Sequence, residues 1–170
     1  MNFNELAEKR FSCRAMSNKK VEPEKVNQII ETAILAPTAV NRQPFKIFVM
    51  DSEKSKKDME KVTKYTFGAG TFLVIGTDEE SAWVRPSDEK NFADVDGSIV
   101  ATHIMMQIED LGLSTTWVGF FDEPLLKELY PQMKKYNLIA IFPIGYKAED
   151  AEPSPRHSIR KSFDELVEIL

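Results

Sequence analysis

The segment from Asp94 to Leu111 constrains the fold of this chain more strongly than any other part of the sequence. Its apolar spacing predicts a helix that ends at Gly112. The apolar residues lie all around that helix rather than along one stripe: Val95, Ile99, Val100, Ala101, Ile104, Met105, Met106, Ile108 and Leu111. A helix that is apolar on every side has to be covered on every side. In a chain of 170 residues, this predicts a central helix or one buried against another subunit.

Helices and strands are interspersed along the rest of the chain, which fits one domain spanning residues 1–170. The residue pattern predicts helices over 3–9, Pro23 to Pro37, 52–64 and 123–130, and strands over Phe45–Met50, Thr71–Gly76, Ser114–Val118 and Leu138–Ile144. The pattern also predicts a long loop over residues 78–93, and a helix or a strand over residues 162–170 after an extended tail. This order is typical of an α+β or an α/β fold.

Composition and charge argue against several classes of function. The net charge is -5 with acidic and basic residues interleaved, so neither a nucleic-acid nor a membrane partner is expected. Cys13 is the only cysteine, which argues against a disulfide and favours a reducing cytoplasm. His103 and His157 have no partner at ligand spacing, so no metal site is expected. The glycine-rich dinucleotide motif and the phosphate loop are both missing from the sequence.

Basic residues cluster near both ends of the chain. Arg10, Ser12 and Arg14 are spaced so that their side chains point the same way in an extended segment, and in a helix Arg10 and Arg14, four positions apart, also lie on one face. Two guanidinium groups and a hydroxyl suit the recognition of a phosphate, and the alternative is a solvated surface pair of arginines. The second cluster comprises Arg156, His157, Arg160 and Lys161. If the tail folds back, both clusters can meet on one dianion.

Two further segments combine polar groups with stiff or open backbone. Asn41 and Gln43 stand between Pro37 and Pro44, and their amides suit a planar heterocycle that has its own donors and acceptors. A rigid surface turn is the alternative. Gly119 follows an apolar stretch and lets a ligand approach the backbone closely, unless it serves an ordinary strand-to-helix turn.

Taken in order, these segments resemble the nitroreductase family of FMN-dependent oxidoreductases. The resemblance rests on Arg-x-Ser-x-Arg at 10–14, Ala-Pro-Thr-Ala-Val-Asn-Arg-Gln-Pro-Phe at 36–45, Trp-Val-Gly at 117–119, Ile-Gly-Tyr at 144–146 and Arg-Lys-Ser-Phe at 160–163. It covers essentially the whole chain. It implies an α+β fold with a central, mixed but mostly antiparallel sheet surrounded by helices. It also implies an intertwined homodimer with two FMN sites at the interface.

The resemblance implies cofactor-binding roles for the singled-out residues. The FMN phosphate and ribityl chain would lie against Arg10, Ser12 and Arg160, with Phe11 and Arg156 beside them. Arg14 would lie at the pyrimidine side of the flavin ring, where a cation favours the anionic reduced form. The remaining contacts would come from Pro37, Thr38, Ala39, Asn41 and Gln43 on a loop of the partner subunit, and from Trp117, Val118, Gly119 and Phe120, with the amides of Gly119 and Phe120 facing flavin N5.

The implied activity is ping-pong hydride transfer, in which FMN carries electrons from NADH or NADPH to an electron-poor acceptor such as a nitroaromatic, a quinone or another flavin. No catalytic side chain is required. The alternatives are an FMN enzyme of the same fold with another task (dehalogenation, flavin fragmentation or substrate oxidation) and a flavin-binding protein without turnover. Trp83 and Arg85 are candidates for lining or gating the substrate channel, and a solvent-facing loop is the other interpretation.

The chain also departs from the family pattern. Many relatives have two serines where this chain has Thr38 and Ala39, so one hydroxyl contact is expected to be missing. A lysine that is frequent in the family is replaced by Ser158. Either Arg156 or His157 compensates for that lysine, or phosphate binding is weaker.

Overall fold

Helices lie on both faces of a small antiparallel sheet. The computed structural model describes residues 2–170. Within that range the elements are α1 (Phe3–Lys9), α2 (Pro23–Ile34), β1 (Phe45–Met50), α3 (Glu53–Val62), β2 (Thr71–Thr77), α4 (Ala93–Asp110), α5 (Glu123–Leu129), β3 (Asn137–Ile144) and α6 (Phe163–Leu166). Single 3-10 turns occur at Ala39–Asn41, Pro131–Met133 and Pro155–Ser158. The predicted helices and three of the four predicted strands are confirmed.

Strand β2 is the middle strand and pairs antiparallel with β1 on one side and β3 on the other. All of its residues are buried, because both faces of the sheet carry helices. Leu73 and Ile75 join the core formed with α2 and α4, whereas Phe72 and Val74 join the core formed with α3 and α5. Since successive side chains of a strand point to opposite faces, one continuous apolar run fills two cores.

The predicted strand at residues 114–118 is wrong. Only its two ends, Ser114 and Val118, form backbone bridges, and these are isolated bridges to Gly145 and to β3. In the register that the two bridges set, Pro143 lies opposite Thr116 and has no N–H group to donate. The middle of the ladder therefore cannot form, and the segment lies beside β3 without becoming a fourth strand.

Helix α4 is covered on one side within the protomer, where it packs against α2 and the sheet. The packing is close, because a Cβ atom added at Gly97 would come within 2.4 Å of the Thr77 side chain. The other side bears a stripe of half-exposed apolar side chains, Val95 and Met106, and Ile99 at the edge of this stripe packs partly against the core. The all-round apolar pattern is thus only half explained by one protomer. Neither α4 nor another helix of residues 2–170 has the length and apolar character that crossing a bilayer requires.

The segment between β2 and α4 folds back on itself and is not an open loop. The N–H of Arg85 donates to the carbonyl of Lys90 at 2.9 Å, and the N–H of Phe92 donates to the carbonyl of Trp83 at 3.0 Å. The Trp83 and Phe92 rings also pack edge to face, with centroids 5.0 Å apart. The predicted long loop is therefore a hairpin-like excursion closed by its own backbone bonds.

Candidate functional site

The segment that carries Arg10, Ser12 and Arg14 is fixed by backbone hydrogen bonds to distant parts of the chain. Its N–H groups donate to three carbonyls at 2.7–3.0 Å: Cys13 to Thr115, Met16 to Phe67 and Ser17 to Tyr146. Cys13 is fully buried, so the alternating side chains of Ser12 and Arg14 lie on the outer side of the segment. The extended conformation brings both polar groups to one face.

The C-terminal tail folds back onto this segment. The turn at Pro155–Ser158 places the His157 ring edge-on against Phe11, with ring centroids 6.3 Å apart. The guanidinium of Arg160 donates to the carbonyls of His157 and Ile159, the latter at 2.8 Å. These bonds fix the Arg160 side chain within the tail, and the contact between His157 and Phe11 places that part of the tail against the start of the chain.

The two clusters meet in a pocket of about 430 Å³, called here the cationic pocket. It is lined by Arg10, Ser12, Arg14, Ser154, Arg156, His157 and Arg160. None of these residues is acidic. Four guanidinium groups around one pocket attract an anion, and their planar forks suit the oxygen atoms of a phosphate. Phe11 does not line this pocket and instead supports the His157 ring.

A second pocket, of about 360 Å³, is called here the aromatic pocket. It is lined by Arg14, Tyr65, Phe67, Thr116, Trp117, Val118, Gly119 and Phe120. Trp117 and Phe120 are exposed, whereas the Val118 side chain is buried, so Val118 offers the pocket mainly its backbone. Arg14 lines both pockets. One elongated ligand with an anionic end and a planar aromatic end can therefore occupy the two pockets together.

Sequence analysis missed Tyr65 and Phe67 as lining residues. The hydroxyl of Thr63 donates to the carbonyl of Phe120 at 2.8 Å and ties this segment to residues 117–120. The Tyr65 ring lies edge-on to Phe120 and beside Phe67, with centroid distances of 6.0 and 5.8 Å. The one local signal is an aromatic pair ahead of the Gly68-Ala69-Gly70 run, and nothing in its spacing connects it with residues 117–120.

Loop 37–43, between α2 and β1, presents its two amide side chains at the surface. Asn41 and Gln43 are exposed, and Nε2 of Gln43 donates to Oδ1 of Asn41 at 3.1 Å. Val40, Asn41 and Gln43 have φ values of 52°, 53° and 52°. That left-handed conformation costs a non-glycine residue about 1–2 kcal/mol, so the loop stores strain.

The predicted flavin contacts on loop 37–43 are Pro37, Thr38, Ala39, Asn41 and Gln43. Among the described residues, these line neither the cationic nor the aromatic pocket of their own protomer. The resemblance assigns them to the flavin of a partner subunit, and that assignment stays a prediction.

Trp83 and Arg85 lie in the excursion before α4 and line neither of the two pockets. The guanidinium of Arg85 pairs with the carboxylate of Asp88, with Nε donating at 2.6 Å, and Trp83 packs against Phe92. Both side chains are thus engaged within the excursion. Their role in a substrate channel stays a prediction.

The two pockets match the two halves of FMN. Arginine side chains supply the charge and the donors that a phosphate monoester needs, and aromatic side chains with open backbone suit a planar ring. The residues present therefore fit the cofactor that the sequence resemblance implies.

The match to a family model extends over most of the chain. The Nitroreductase family model matches residues 7–67 and 56–146. The chain belongs to the nitroreductase family. The matched ranges of this nitroreductase-family protein include Arg14, loop 37–43 and residues 117–120, whereas the tail that carries Arg156 and Arg160 lies beyond them.

Individual relatives agree with the family. A protein from Archaeoglobus fulgidus, provisionally named an NADH dehydrogenase/NAD(P)H nitroreductase, is 23% identical over 158 residues, which are 84% of each chain. A crystal structure of a nitroreductase family protein from Clostridium difficile 630 shares 34% identity, with a TM-score of 0.91 over 99% of this chain and 98% of that one.

A second solved structure contains FMN. It is a protein from Exiguobacterium sibiricum, provisionally named a nitroreductase and crystallised in complex with FMN. It shares 20% identity with this nitroreductase-family chain, with a TM-score of 0.86 over 100% of this chain and 98% of that one. At that identity the likeness shows a common fold.

Proposed function

We propose that this protein is an FMN-dependent oxidoreductase that takes electrons from NADH or NADPH and delivers them to a small electron-poor acceptor, such as a nitroaromatic, a quinone or another flavin. The observation that carries the proposal is the position of Arg14, which lines both the cationic and the aromatic pocket. FMN, when bound, supplies the hydride chemistry. The protein supplies binding, orientation and electrostatics.

The cationic pocket binds the phosphate of the cofactor. Arg10 and Ser12 come from the start of the chain, and Arg156 and Arg160 come from its tail. Ser158 provides no cation, and Arg156 is the neighbouring residue whose guanidinium takes the place of the family's lysine. Guanidinium groups from both ends of the chain then hold one dianion through charge-assisted hydrogen bonds.

The aromatic pocket orients the flavin ring. The guanidinium of Arg14 is exposed at the junction of the two pockets, where its permanent positive charge stabilises negative charge at the pyrimidine edge. The backbone N–H groups of Gly119 and Phe120 donate to no other group within residues 2–170. They are therefore free to donate to the N5 edge of the ring.

The functional unit is a homodimer. Exposed apolar side chains line the tail at Ile159, Phe163, Leu166, Val167, Ile169 and Leu170, and they add to the half-exposed stripe on α4. A second copy of this chain covers such surfaces in a self-complementary interface. In that assembly, loop 37–43 of one protomer reaches the flavin ring bound by its partner.

Flavin titration followed by kinetics tests the proposed function. We expect the purified protein to bind FMN, with absorbance bands at ~370 and ~450 nm, and to oxidise NADH or NADPH when menadione or a nitroaromatic is supplied. A colourless protein that gains no flavin from added FMN would refute the proposal. Tight FMN binding without turnover would instead favour one of the alternative functions.

A further inference from the structure

Asp96, on the first turn of α4, is a buried carboxylate that the proposed chemistry does not use. Only 1% of its surface is exposed. Its Oδ1 accepts a hydrogen bond from the backbone N–H of Ala39 at 2.8 Å. Its Oδ2 is buried and has no hydrogen-bond partner within residues 2–170. Burying a charged carboxylate costs free energy unless hydrogen bonds compensate for it. The single hydrogen bond from Ala39 therefore needs an explanation.

The partner lies at the base of the strained part of loop 37–43. Ala39 directly precedes Val40 and Asn41, both of which have left-handed φ values. The loop is closed internally by bonds from Asn41 N–H to the Thr38 carbonyl at 2.9 Å and from Gln43 N–H to the Thr38 hydroxyl at 3.0 Å. These bonds shape the loop but do not attach it to the rest of the protein. The bond from Ala39 to Asp96 does.

We infer that Asp96 is a positioning residue for the flavin: its carboxylate anchors loop 37–43 to α4 and so holds the Asn41 and Gln43 amides in the orientation that binds the cofactor. This inference rests on the proposed function for the identity of the ligand. The anchor itself is a property of the chain without ligand. Because the loop conformation is strained, a loop released from Asp96 relaxes away from it.

Asp94 provides a matched control on the same turn of α4. Its Oδ1 accepts from the Thr77 hydroxyl at 3.1 Å and from Nδ2 of Asn137 at 2.9 Å, so it anchors the helix to the sheet and not to the loop. Asp96→Ala and Asp94→Ala both remove a negative charge from the start of α4. The effect of removing charge from the helix start is therefore common to both variants, whereas release of the loop is specific to Asp96→Ala.

Hydrogen exchange of the FMN-free protein tests the anchor directly. We expect Asp96→Ala to raise the exchange rates of the Asn41, Arg42 and Gln43 amides by about tenfold, and Asp94→Ala to leave them unchanged. In Asp96→Asn, the amide oxygen still accepts from Ala39, so protection of the loop should be largely retained. Equal exchange of the loop in the two alanine variants, or loss of protection in Asp96→Asn as complete as in Asp96→Ala, would overturn the inference.

FMN titration of the same variants tests the consequence for the ligand. We expect Asp96→Ala to weaken FMN binding by about tenfold and Asp94→Ala to bind like wild type. If wild type binds no FMN, the proposed function fails, whereas wild-type binding with unchanged affinity in Asp96→Ala overturns only the positioning role.

If Asp96→Ala does not fold, Ala39→Pro removes the donor instead, since Thr38 has the extended backbone (φ -131°, ψ 159°) that proline accepts after it. Loop exchange in Ala39→Pro equal to wild type would then overturn the inference.

Discussion

The ring of Phe11 meets the imidazole of His157 edge-on, with centroids 6.3 Å apart and planes inclined by 67°. This contact joins the first basic cluster of the chain to the last. At this junction Arg10 and Arg160 line one pocket even though they lie near opposite ends of the sequence. The proposed cofactor site therefore depends on the fold of the tail as much as on the arginines.

Replacement of Arg10 should weaken the binding of FMN far more than that of riboflavin, which lacks the phosphate. We expect Arg10→Ala to raise the dissociation constant of FMN by about 10- to 100-fold, because charge-assisted hydrogen bonds are lost. Riboflavin affinity should stay within about twofold of wild type, since the aromatic pocket is intact. Fluorescence titration with both flavins measures the difference. Lys57→Ala, which removes an exposed positive charge from α3, is the control, and equal losses for the two flavins would contradict the phosphate site.

Loss of the Asp58 carboxylate should lower stability in a manner that depends on pH. Hydrogen bonds from Lys54 at 2.6 Å and Lys61 at 2.8 Å, with a third from the Tyr130 hydroxyl, hold the pKa of the buried Asp58 carboxyl well below its ordinary value. A lowered native pKa stabilises the fold above the unfolded pKa and loses that effect as the pH falls through the native value. We expect Asp58→Asn to reduce the free energy of unfolding by about 1–2 kcal/mol at neutral pH.

Urea unfolding at several pH values checks this expectation. The difference in the free energy of unfolding between wild type and Asp58→Asn should shrink steadily below about pH 4. The Glu60 side chain, on the same helix, forms no hydrogen bond or ion pair within the described residues. Glu60→Gln should therefore have the same free energy of unfolding as wild type at each pH. If the difference between wild type and Asp58→Asn stays constant from neutral to acidic pH, the ion-pair account is contradicted.

Packing of α4 on the sheet should make Gly97 intolerant of a side chain. The Cβ of Gly97→Ala would lie 2.4 Å from Thr77 Cγ2 and 2.9 Å from Ile139 Cδ1. We expect Gly97→Ala to lower the free energy of unfolding by about 1–3 kcal/mol. In a domain of this size, Tm then falls by about 2–4 °C for each kcal/mol. Gly70→Ala has open space at the new Cβ and should have little effect. Equal melting temperatures for the two variants would show that α4 does not pack as described.

Charges placed on the apolar face of the tail should dissociate the proposed homodimer. Phe163 and Leu166 are each 65% exposed in the protomer, so Asp substitutions there do not enter its core. We expect Phe163→Asp/Leu166→Asp to sediment as a monomer in analytical ultracentrifugation and wild type to sediment as a dimer. Lys161→Asp changes the net charge by the same amount on a polar position and should remain dimeric. A wild-type monomer would refute the assembly.

Most elements of the fold follow from local sequence pattern. The apolar run at 71–76 predicts the strand that the structure has at Thr71–Thr77, and Pro23 and Pro37 bracket α2. The segment at 114–118 misleads, because its strand-like composition carries no information about Pro143 in the opposite strand. Pairing across a sheet is a tertiary property, so the missing donor becomes visible only with the register known.

The candidate site was predictable where its residues are close in sequence. Arg10, Ser12 and Arg14 were identified from their spacing, and the pocket brings them together with the tail. Tyr65 reaches the aromatic pocket through a side-chain bond from Thr63 to residue 120, which no local pattern encodes. Asp96 was also missed, because its bond to Ala39 joins two segments that are distant in the sequence. In the sequence, a carboxylate on the first turn of a helix is already explained by the helix dipole.

The distances from the FMN phosphorus atom to the Arg10 and Arg160 guanidinium groups, measured in a crystal structure of the complex, test the central claim most directly. The account predicts that both groups, from the same chain, hydrogen-bond the phosphate while the ring lies along residues 117–120. A phosphate bound outside the cationic pocket, or held by only one end of the chain, would contradict it.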